Sequence, residues 1–488
     1  MRRLLGDALV LLVAYCAAFA LRFDFEPPRW GWARVLLGFG PTLACGLLAL
    51  WAAGCERLRA ATISLRSVPR FLIAAGGMTG VLLLLRVLFP ADAAVVVRPP
   101  VSVALMTGVL ALLGWLALRY VRRLQLRPIE VSDLLGRGEA EVNVPEVRRA
   151  FRGKRVMITG AGGSIGRELA RQMLAAGAAE LLLLDLSEAA LYQTAEALDE
   201  AAQAPGAGRL ILRVGDCGDR AYVRALLSAV RPEALLHAAA YKHVPMMEGN
   251  ACQALRNNAW ATRVLAEEAQ GAGVEVFVLI STDKAIAPIS AMGASKRLAE
   301  VLMHDLAGRG RTRFCAVRFG NVLDSSGSVV PKFRRQIAAG GPVTVTDARM
   351  VRYFMTIPEA CGLVLQAATR AHGGEIFVLD MGEPVPILQL AETMIRLGGL
   401  RPYRDIAIRF TGARPGEKLA EELGVAAAHG ERTDHARIFV GRIAQWPHTA
   451  VEALCGRIET LLKQGPALAA QDLLTLLTAE ENTPHEDV

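Results

Sequence analysis

The chain has 488 residues, which is too long for one compact core and leaves room for two or three domains. Hydrophobic residues make up 53% of it, mean hydropathy is positive, and the apolar residues concentrate in the first 120 positions. This distribution argues against a wholly soluble protein and indicates a membrane segment followed by a soluble body. The net charge of +8 comes without an arginine-rich helix, zinc-finger spacing or aromatic RNA-binding strand, so we expect no nucleic-acid partner.

The cysteines and lysines narrow the chemistry further. Eight cysteines are scattered without a C-x-x-C pair, and no histidines cluster at metal-ligand spacing, so we expect a reduced compartment and no metal site. Only seven of the 55 basic residues are lysines, at positions 154, 242, 284, 296, 332, 418 and 463. Because the pKa of a lysine can be moved whereas arginine stays charged, the lysines that persist are candidates for functional positions.

Four apolar runs cover residues 4–21, 35–54, 71–89 and 101–118. Each approaches the roughly 20 residues that cross a hydrocarbon core as a helix. The first run could instead be a signal peptide, because "AAFA" resembles a small-residue cleavage site. Three further runs and the interruption by Asp7 favour a four-helix transmembrane bundle over residues 1–120, which we interpret as an anchor in the lipid bilayer.

Arginines flank these runs unevenly, and the richer side is expected to face the cytoplasm. The richer side carries Arg2, Arg3, Arg57, Arg59, Arg66, Arg70, Arg119, Arg122, Arg123 and Arg127, whereas the other carries Arg22, Arg29, Arg34 and Arg98. Both ends of the bundle then face the cytoplasm, and removal of the first run would not change this. We predict a linker over residues 121–152, a catalytic domain over 153–440 and a helical tail over 441–488. The catalytic domain is expected to comprise a Rossmann core and a smaller C-terminal substrate-binding subdomain.

A glycine-rich turn opens the soluble body in "KRVMITGAGGSIGRELARQML". A buried strand from Val156 to Thr159 precedes it, and an apolar stripe of helical period follows it. The turn and the start of the helix contain Gly160, Gly162, Gly163, Ser164, Ile165 and Gly166. Such glycines permit a tight turn and let the backbone approach a pyrophosphate at the helix N-terminus. The alternative is a glycine-rich turn that binds nothing.

The strands that follow strengthen the dinucleotide interpretation. "ELLLLDLSE" ends a strand at Asp185, near Ser187, where a carboxylate can bind ribose hydroxyls and repels the 2′-phosphate of NADP, so NAD is favoured. "RLILRVGDCGD" is interpreted as a strand ending at Asp216, which with Cys217 meets adenine. After "ALLH" come the small residues Ala238, Ala239 and Ala240, which leave room for the cofactor. Alternating strands and helices predict an α/β, Rossmann-type doubly wound parallel sheet.

The segment "STDKAIAPISAMGASK" carries the candidate chemistry and one unexpected residue. Short-chain dehydrogenases place a tyrosine four residues before a lysine, but here Met292 precedes Lys296. Since methionine cannot transfer a proton, either the chemistry is lost or other groups supply it. Thr282, Asp283 and Lys284 follow the strand directly, although such a trio can also be a simple turn with a capping carboxylate.

Several motifs in order resemble a known family. They are "TGAGGSIG", "HAAAYKHVPMME", "STDKA", "MGASK", "VRFGNVLDSSGSVVPKF", "RYFMTIPEA" and "RPGEKLAEEL". Together they resemble the membrane-bound nucleotide-sugar 4,6-dehydratases of bacterial polysaccharide biosynthesis, within the extended short-chain dehydrogenase superfamily, from about residue 125 to 440. Larger members carry an additional Rossmann-like domain after the membrane helices, and here only about thirty residues stand in its place.

The resemblance implies a UDP-N-acetylhexosamine substrate, with UDP-N-acetylglucosamine the first choice, and a bound NAD that takes hydride from C4 and returns it to C6 after water leaves. It implies that Asp283 is the acid for the leaving hydroxyl and Lys284 the base at C5, each with its pKa tuned by burial or neighbours. Lys296 would hold the nicotinamide ribose. For the C4 hydroxyl proton two candidates stay open: Tyr241, or Thr282 acting through water or Asp283.

The resemblance also implies a substrate side, comprising Lys242, His243, Asn258, Asn321, Lys332, Arg352, Arg414 and Glu417. The arginines suit forked pairing with a diphosphate, and Lys242 either meets phosphate or lies at the surface. His243 is interpreted as a hydrogen-bonding wall of the pocket, and Asn258 as a brace before the active loop. Glu417 could instead form a structural ion pair with Lys418.

The implied setting is a multi-pass protein of the bacterial cytoplasmic membrane whose catalytic domain faces the cytoplasm. We also expect a homo-oligomer. Two other functions compete with the dehydratase. A C4 epimerase would use the same cofactor, but it keeps the tyrosine and needs no Asp–Lys pair. A catalytically weak NAD-binding scaffold would not need Asp283, Lys284 and Lys296, which are all present.

Overall fold

The computed structural model describes residues 2–25, 31–55, 68–88, 99–124, 144–204, 207–421, 431–441 and 446–481. Contacts divide the chain into two compact units. The first comprises residues 1–129 with the segments 334–343 and 394–408, and the second comprises the rest. The segments 56–67 and 89–98, which hold several arginines of the orientation argument, and most of the predicted linker lie outside the described residues.

Four helices make up most of the first unit: α1 Arg2–Arg22, α2 Gly31–Ala52, α3 Val68–Leu88 and α4 Val101–Leu124. Three of them, α1, α3 and α4, are long and apolar enough to cross a membrane. In α2 the apolar stretch is shorter, Gly38–Ala52, and Pro41 lies inside the helix. The four predicted runs are therefore four helices, but only three in the described part of the chain meet the length and composition of a span.

The second unit begins with a short amphipathic helix and a run of alternating strands and helices. These elements are α5 Val144–Phe151, β1 Arg155–Thr159, α6 Ser164–Ala176, β2 Glu180–Asp185, α7 Glu188–Ala202, β3 Arg209–Val214, α8 Arg220–Val230, β4 Ala234–His237, α9 Val244–Glu248, α10 Ala251–Ala254, α11 Ala261–Gly271, β5 Val276–Thr282, α12 Ala291–His304 and β6 Arg313–Phe319. A π-helical turn, Leu255–Trp260, joins α10 to α11, and a 3₁₀ turn, Asp283–Ala285, follows β5.

Shorter strands and further helices complete the chain. They are β7 Asn321–Val322, α13 Val329–Ala338, β8 Val343–Val345, β9 Val351–Arg352, β10 Phe354–Met355, α14 Ile357–Thr369, β11 Glu375–Leu379, β12 Val385–Pro386, α15 Ile387–Leu397, β13 Ile408–Phe410, β14 Glu431–Arg432, β15 Ile438–Gly441, α16 His448–Leu462 and α17 Ala470–Glu481.

A nine-stranded sheet organises the second unit, in the order β14-β15-β11-β6-β5-β4-β1-β2-β3. The strands from β11 to β3 pair in parallel, and β15 and β14 join antiparallel at one edge. The strand order reverses between β1 and β4, which makes a crevice at the carboxyl ends of these strands. The predicted α/β doubly wound sheet is confirmed.

Alternate residues of the central strands enter two hydrophobic cores, one on each face of the sheet. In β1, Val156 and Ile158 lie in one core and Met157 lies in the other. This explains why the strands are continuous apolar runs, since helices cover both faces of a parallel sheet. The strand β3 ends at Val214, so the prediction that it ends at Asp216 was wrong by two residues.

The tail forms two helices, α16 and α17, that pack against the outer side of α12. Leu454 and Ile458 of α16 and Leu476 of α17 are buried in one cluster with Leu298 and Leu302 of α12. The tail is therefore part of the hydrophobic core of the second unit. The two tail helices cover a face of α12, the helix that carries Lys296.

Candidate active site

The glycine-rich turn lies between β1 and α6, at the crevice. Gly160 has φ +66°, and a Cβ at this position would lie 2.5 Å from the main-chain nitrogen of Ala239 at the end of β4. A Cβ on Gly166 would collide with the carbonyl oxygen of Gly160. Only glycine fits these two positions, because the turn is closed both against the neighbouring strand and against the first turn of α6.

A cleft of about 920 Å³ opens at this turn. Its lining includes Gly160, Gly162, Gly163 and Ser164 from the turn, Asp185 from β2, Asp216 and Cys217 after β3, and Ala238, Ala239, Ala240 and Tyr241 after β4. A volume of this size suits a large cofactor. The small alanines and the N-terminus of α6 leave both the space and the main-chain donors that a pyrophosphate requires.

The carboxylate of Asp185 is fixed by main-chain donors. Its Oδ2 accepts from the nitrogen of Gly162 at 2.8 Å, and its Oδ1 accepts from the nitrogen of Ser187 at 2.8 Å. The Ser187 hydroxyl in turn caps α7 by accepting from Ala190. Because an oxygen has two lone pairs, the fixed carboxylate can still accept from ribose hydroxyls in the cleft. Asp216 forms the equivalent turn by accepting from Gly218 at 2.7 Å.

Thr282, Asp283 and Lys284 form a hydrogen-bonded chain directly after β5. The Thr282 hydroxyl donates to Oδ1 of Asp283 at 2.8 Å, and Nζ of Lys284 donates to the same oxygen at 2.9 Å. Lys284 Nζ also donates to Oδ1 of Asn321 at 3.2 Å. The strand end and the 3₁₀ turn thus bring a hydroxyl, a carboxyl and an amine into direct contact.

Asp283 is the least accessible of the three, with a fully buried side chain, whereas that of Lys284 is 18% exposed. Within the described residues, Oδ2 of Asp283 has no hydrogen-bond partner. An unpartnered buried carboxyl oxygen is costly in a folded protein unless a ligand or a proton satisfies it. This oxygen is therefore an unsatisfied acceptor next to the Thr282–Asp283–Lys284 chain.

Lys296 and Met292 lie one turn apart on α12 but in different surroundings. Lys296 is buried, its Nζ donates to the carbonyl oxygen of Ile280 at 2.6 Å, and burial lowers its pKa to about 8. Met292 is buried in a small apolar cluster with Val244, Met247 and Ala254. The position that carries the phenol in simple dehydrogenases is thus occupied here by a packing residue.

Asn258 fixes the loop after β4. This residue is fully buried in the π-helical turn, its Oδ1 accepts from the nitrogen of Tyr241 at 2.8 Å, and its Nδ2 donates to the Tyr241 carbonyl at 2.9 Å. Its Nδ2 also donates to the hydroxyl of Ser295, next to Lys296. The geometry favours the bracing role over direct contact with a ligand. The Tyr241 side chain itself is 38% exposed and lines the cleft.

Four predicted residues form a basic group: Lys242, His243, Lys332 and Arg414. Burial, Lys242 and Arg414 lower the pKa of His243, and burial and Arg414 lower that of Lys332. Arg414 thus disfavours the charged form of both His243 and Lys332. Lys242 also donates to the Ser325 hydroxyl at 3.4 Å. A group of converging cations is suited to a diphosphate.

Arg414, Glu417 and Arg352 also make contacts within the protein. Arg414 pairs with Glu417, NH2 to Oε1 at 2.6 Å, which is a different ion pair from the suggested one between Glu417 and Lys418. Lys418 Nζ instead donates to the carbonyl of Ile286 at 3.2 Å. Arg352 is buried and donates to the carbonyls of Val351, Lys418 and Leu419, which favours a structural role over pairing with diphosphate.

Three features of the site have no counterpart in the sequence patterns. Glu421 is buried 3.9 Å from Nζ of Lys284. Glu300 forms a buried pair with Arg318 below Lys296. The main-chain N–H of Ser326, in the loop after β7, donates a hydrogen bond to the Ser164 hydroxyl at the glycine turn. Each contact joins residues that are not adjacent in the chain. Only the third has a signal in the sequence, because the Ser- and Gly-rich stretch "DSSGS" around Ser326 is typical of a close-fitting loop. Across the described ranges, no three His, Cys, Asp or Glu side chains are grouped to hold a metal.

The sheet order, the glycine turn and the cleft define a Rossmann-type protein of the short-chain dehydrogenase architecture. The chain belongs to the polysaccharide biosynthesis protein family, whose model matches residues 156–443. The family resemblance inferred from the motifs is thereby confirmed.

Named relatives span dehydratases and epimerases. The capsular polysaccharide biosynthesis protein CapD of Staphylococcus aureus is 44% identical over 330 residues, covering 67% of this chain and 55% of CapD. A UDP-N-acetylglucosamine 4,6-dehydratase (inverting) of Campylobacter jejuni is 30% identical over 276 residues, 56% of this chain and 77% of that enzyme. A UDP-glucose 4-epimerase of Rickettsia conorii is 33% identical over 298 residues, which cover 59% of this chain and 82% of that enzyme. The chain therefore spans about half the length of CapD.

Among solved structures, Pen from Bacillus thuringiensis superposes with a TM-score of 0.55 at 29% identity. The match covers 61% of this chain and 92% of Pen. It supports the Rossmann-type fold.

Proposed function

We propose that this protein is a membrane-anchored, NAD-dependent 4,6-dehydratase of a UDP-N-acetylhexosamine, with UDP-N-acetylglucosamine as the first substrate to test. The observation that carries the proposal is the chain Thr282–Asp283–Lys284 at the end of β5, with Met292 withdrawn into packing. The strand β5 pairs with β4, and the residues after β4 line the cofactor-sized cleft. An acid and an amine in contact suit an elimination, which needs both at neighbouring carbons. The name of the Campylobacter relative supports the same reaction.

The residues present fit NAD. The turn from Gly160 to Gly166 would hold the pyrophosphate, Asp185 the ribose hydroxyls, and Asp216 the adenine end. When bound, the cofactor supplies hydride transfer, accepting hydride from C4 and returning it at C6. Lys296 lies buried next to the end of β5, where its amine would orient the nicotinamide ribose. These residues bind and orient, while the proton transfers fall to the turn after β5.

Asp283 and Lys284 can hold one proton between them in two arrangements. The ion pair and the neutral pair contain the same number of protons and differ only in the position of one proton along the 2.9 Å hydrogen bond. In the neutral pair Asp283 is an acid and Lys284 a base, which is the assignment that the elimination requires.

Thr282 provides a path for the C4 proton. The reaction begins with Asp283 ionised and Lys284 as the free amine, so the pair holds no shared proton at this stage. Oxidation at C4 then releases one proton from the C4 hydroxyl, which passes through the Thr282 hydroxyl to Asp283 over the 2.8 Å hydrogen bond and gives the neutral pair. Lys284 then removes the C5 proton while Asp283 donates to the C6 hydroxyl, which leaves as water. Lys284 finally returns a proton to C5. The proton count closes, so this geometry favours Thr282 over Tyr241 for the C4 proton.

The three apolar helices of the first unit support attachment to a bilayer. With the arginine distribution in the sequence, we propose a multi-pass protein of the cytoplasmic membrane whose second unit works in the cytoplasm. The basic group of Lys242, His243, Lys332 and Arg414 would receive the diphosphate of a nucleotide sugar. Such a location places sugar modification beside the lipid-linked steps of polysaccharide assembly.

The decisive experiment incubates the full-length protein, in detergent, with NAD and UDP-N-acetylglucosamine. We expect a product lighter by one water, and NMR to show a 4-keto-6-deoxy sugar. An unchanged mass with an altered configuration would instead support a C4 epimerase, as the Rickettsia relative is named. Bound NAD with no turnover of any UDP- or dTDP-hexose would support a scaffold.

Replacing Asp185 by Ala should weaken NAD binding by about 10- to 100-fold, because charged hydrogen bonds contribute about 1.5–3 kcal/mol each. The change also frees the nitrogen of Gly162 in the glycine turn. Fluorescence titration with NAD measures the effect. Asp199→Ala, on the exposed side of α7, is the matched control and should bind NAD like the unmodified protein. Equal affinities in both variants would remove Asp185 from the cofactor site.

A further inference from the structure

A third carboxyl group faces the candidate catalytic turn from a distant segment. Glu421 is buried, with a side chain only 4% exposed, and its Oε1 lies 3.9 Å from Nζ of Lys284 and 3.6 Å from NH2 of Arg352. Both distances are those of ion pairs and exceed the range of a hydrogen bond. Glu421 therefore acts on Lys284 through its charge and through the space that it occupies.

The segment that carries Glu421 is attached to the active-site turn at several points. The Arg352 guanidinium donates to the carbonyls of Lys418 at 2.7 Å and Leu419 at 3.1 Å, and the Val351 nitrogen donates to Leu419 at 3.0 Å. Lys418 donates to the carbonyl of Ile286, one turn beyond Lys284. These bonds fix the main chain up to Leu419, two residues before Glu421, against β9 and the active-site loop.

Four charged groups act on Glu421. Burial is the main cause that raises its pKa and Asp283 adds to the rise, whereas Lys284, Arg352 and Lys418 oppose it. Lys284 therefore stands between two carboxyls, Asp283 at 2.9 Å and Glu421 at 3.9 Å. A lysine between two carboxylates keeps its proton, but a base must give its proton up before it can act. The ionisation of Glu421 consequently affects how readily Lys284 becomes a base.

We propose that Glu421 is a positioning residue for the reaction, which sets both the place and the proton affinity of the Lys284 amine. This inference rests on the proposed function and adds to it a group outside the Thr282–Asp283–Lys284 chain. When Glu421 is ionised it favours the ammonium form of Lys284, and the resting site keeps a proton that blocks the release of the C4 proton. As the pH falls this proton is retained more often, so activity declines on the acid side.

Glu421→Gln keeps the shape of the side chain and removes its charge. We expect the acid limb of the kcat profile to move toward lower pH by about one unit, as for loss of a neighbouring opposite charge. The plateau kcat should fall, by about 10-fold, because the amine is less well oriented, while KM changes little. Glu383→Gln removes one charge at an exposed site and should leave the profile unchanged.

A direct readout does not require turnover. Because the chain has only seven lysines, brief acetylation at a series of pH values followed by mass spectrometry reports Lys284 separately. We expect the pH at the midpoint of Lys284 labelling to be highest in the unmodified protein, lower in Glu421→Asp and lowest in Glu421→Gln. Exposed Lys463 in the same molecules is the internal reference and should not move. If Glu421→Gln does not fold, the comparison with Glu421→Asp decides.

The inference is overturned if the labelling midpoints of Lys284 are equal in all three proteins, or if Glu421→Gln lowers kcat with an unchanged pH profile. In the second case Glu421 would serve packing alone. A raised KM with an unchanged profile would place Glu421 in substrate binding and also contradict the inference. Failure of the proposed function is separate, since it appears as no loss of water by the unmodified protein while the labelling order still stands.

Discussion

Replacing Lys284 by Ala should lower dehydration by about 10²–10⁴-fold, the usual range for loss of a general base. Thr282 and Asp283 remain, so oxidation at C4 can proceed and stop there. We expect the absorbance of reduced nicotinamide to accumulate with substrate, and exchange of the C5 proton with deuterated water to disappear. NAD should stay bound, because the glycine turn and Asp185 hold it. The measurements are product mass, absorbance and NMR.

Lys284→Arg is the sharper variant of this test. The guanidinium keeps a positive charge near Asp283, but it does not deprotonate in proteins and cannot act as a base. We expect Lys284→Arg to be as inactive as Lys284→Ala. Lys154→Arg is the matched control, since Lys154 forms a surface pair with Glu275 and should retain full activity. Turnover by Lys284→Arg near the original rate would show that the C5 base lies elsewhere.

Replacing Glu300 by Gln should reduce the free energy of unfolding by about 3–5 kcal/mol, because it leaves a buried arginine without its counter-charge. Both side chains are almost fully buried, and Arg318 Nε donates to Glu300 Oε1 at 2.7 Å. Ser281 donates to the same oxygen at 2.6 Å. Burial alone would raise the pKa of Glu300, but Arg318, Arg297 and Ser281 outweigh it and hold that pKa below its ordinary value. Denaturant unfolding of the cofactor-free protein measures the loss.

Two controls separate charge from packing in this prediction. The double change Glu300→Leu and Arg318→Met removes both charges and should recover most of the stability, since buried pairs can be replaced by apolar residues of similar volume. Glu275→Gln breaks a surface pair and should change stability by about 0–1 kcal/mol. A double variant as unstable as Glu300→Gln would mean that the hydrogen bond to Ser281, rather than the charge pair, stabilises this region.

The buried pair also bears on the chemistry. Glu300 is one helical turn from Lys296 on α12 and raises the pKa of that lysine against the larger effect of burial. His237 lies on β4 between the hydroxyls of Thr159 and Thr262, and burial with Lys296 lowers its pKa to about 3. This histidine is therefore neutral at working pH. Lys296 therefore has one charged neighbour, the carboxylate of Glu300, and one neutral neighbour, the imidazole of His237.

Local patterns in the sequence were sufficient for the cofactor side of the site. Gly160 and Gly166 can be recognised because the turn tolerates only glycine, and Asp185 because a carboxylate at the end of the second strand has a fixed spacing from that turn. The contact between Asp283 and Lys284 also follows from adjacency in the chain. The end of β3 was misplaced because Asp216 belongs to the turn after the strand, where its side chain accepts from the nitrogen of Gly218.

The substrate side was less predictable, because its contacts are made between segments far apart in the chain. Arginines were assigned to diphosphate by their chemistry, but Arg352 is buried against main-chain carbonyls and only the fold reveals this. The sequence does not predict that Glu421 is buried, because a glutamate in a stretch such as "EEL" usually lies at the surface of a helix. Met292 was recognised as unusual, but its packing against Val244 and Met247 depends on the short helix α9.

The C-terminal helices α16 and α17 begin after residue 443, where the match to the family ends, yet Leu454, Ile458 and Leu476 complete the cluster on α12. The recognisable family segment and the cooperative folding unit are consequently different stretches of chain. The helix that bears Lys296 is covered on this side by α16 and α17, so its rigidity depends on a segment that lies beyond the family match.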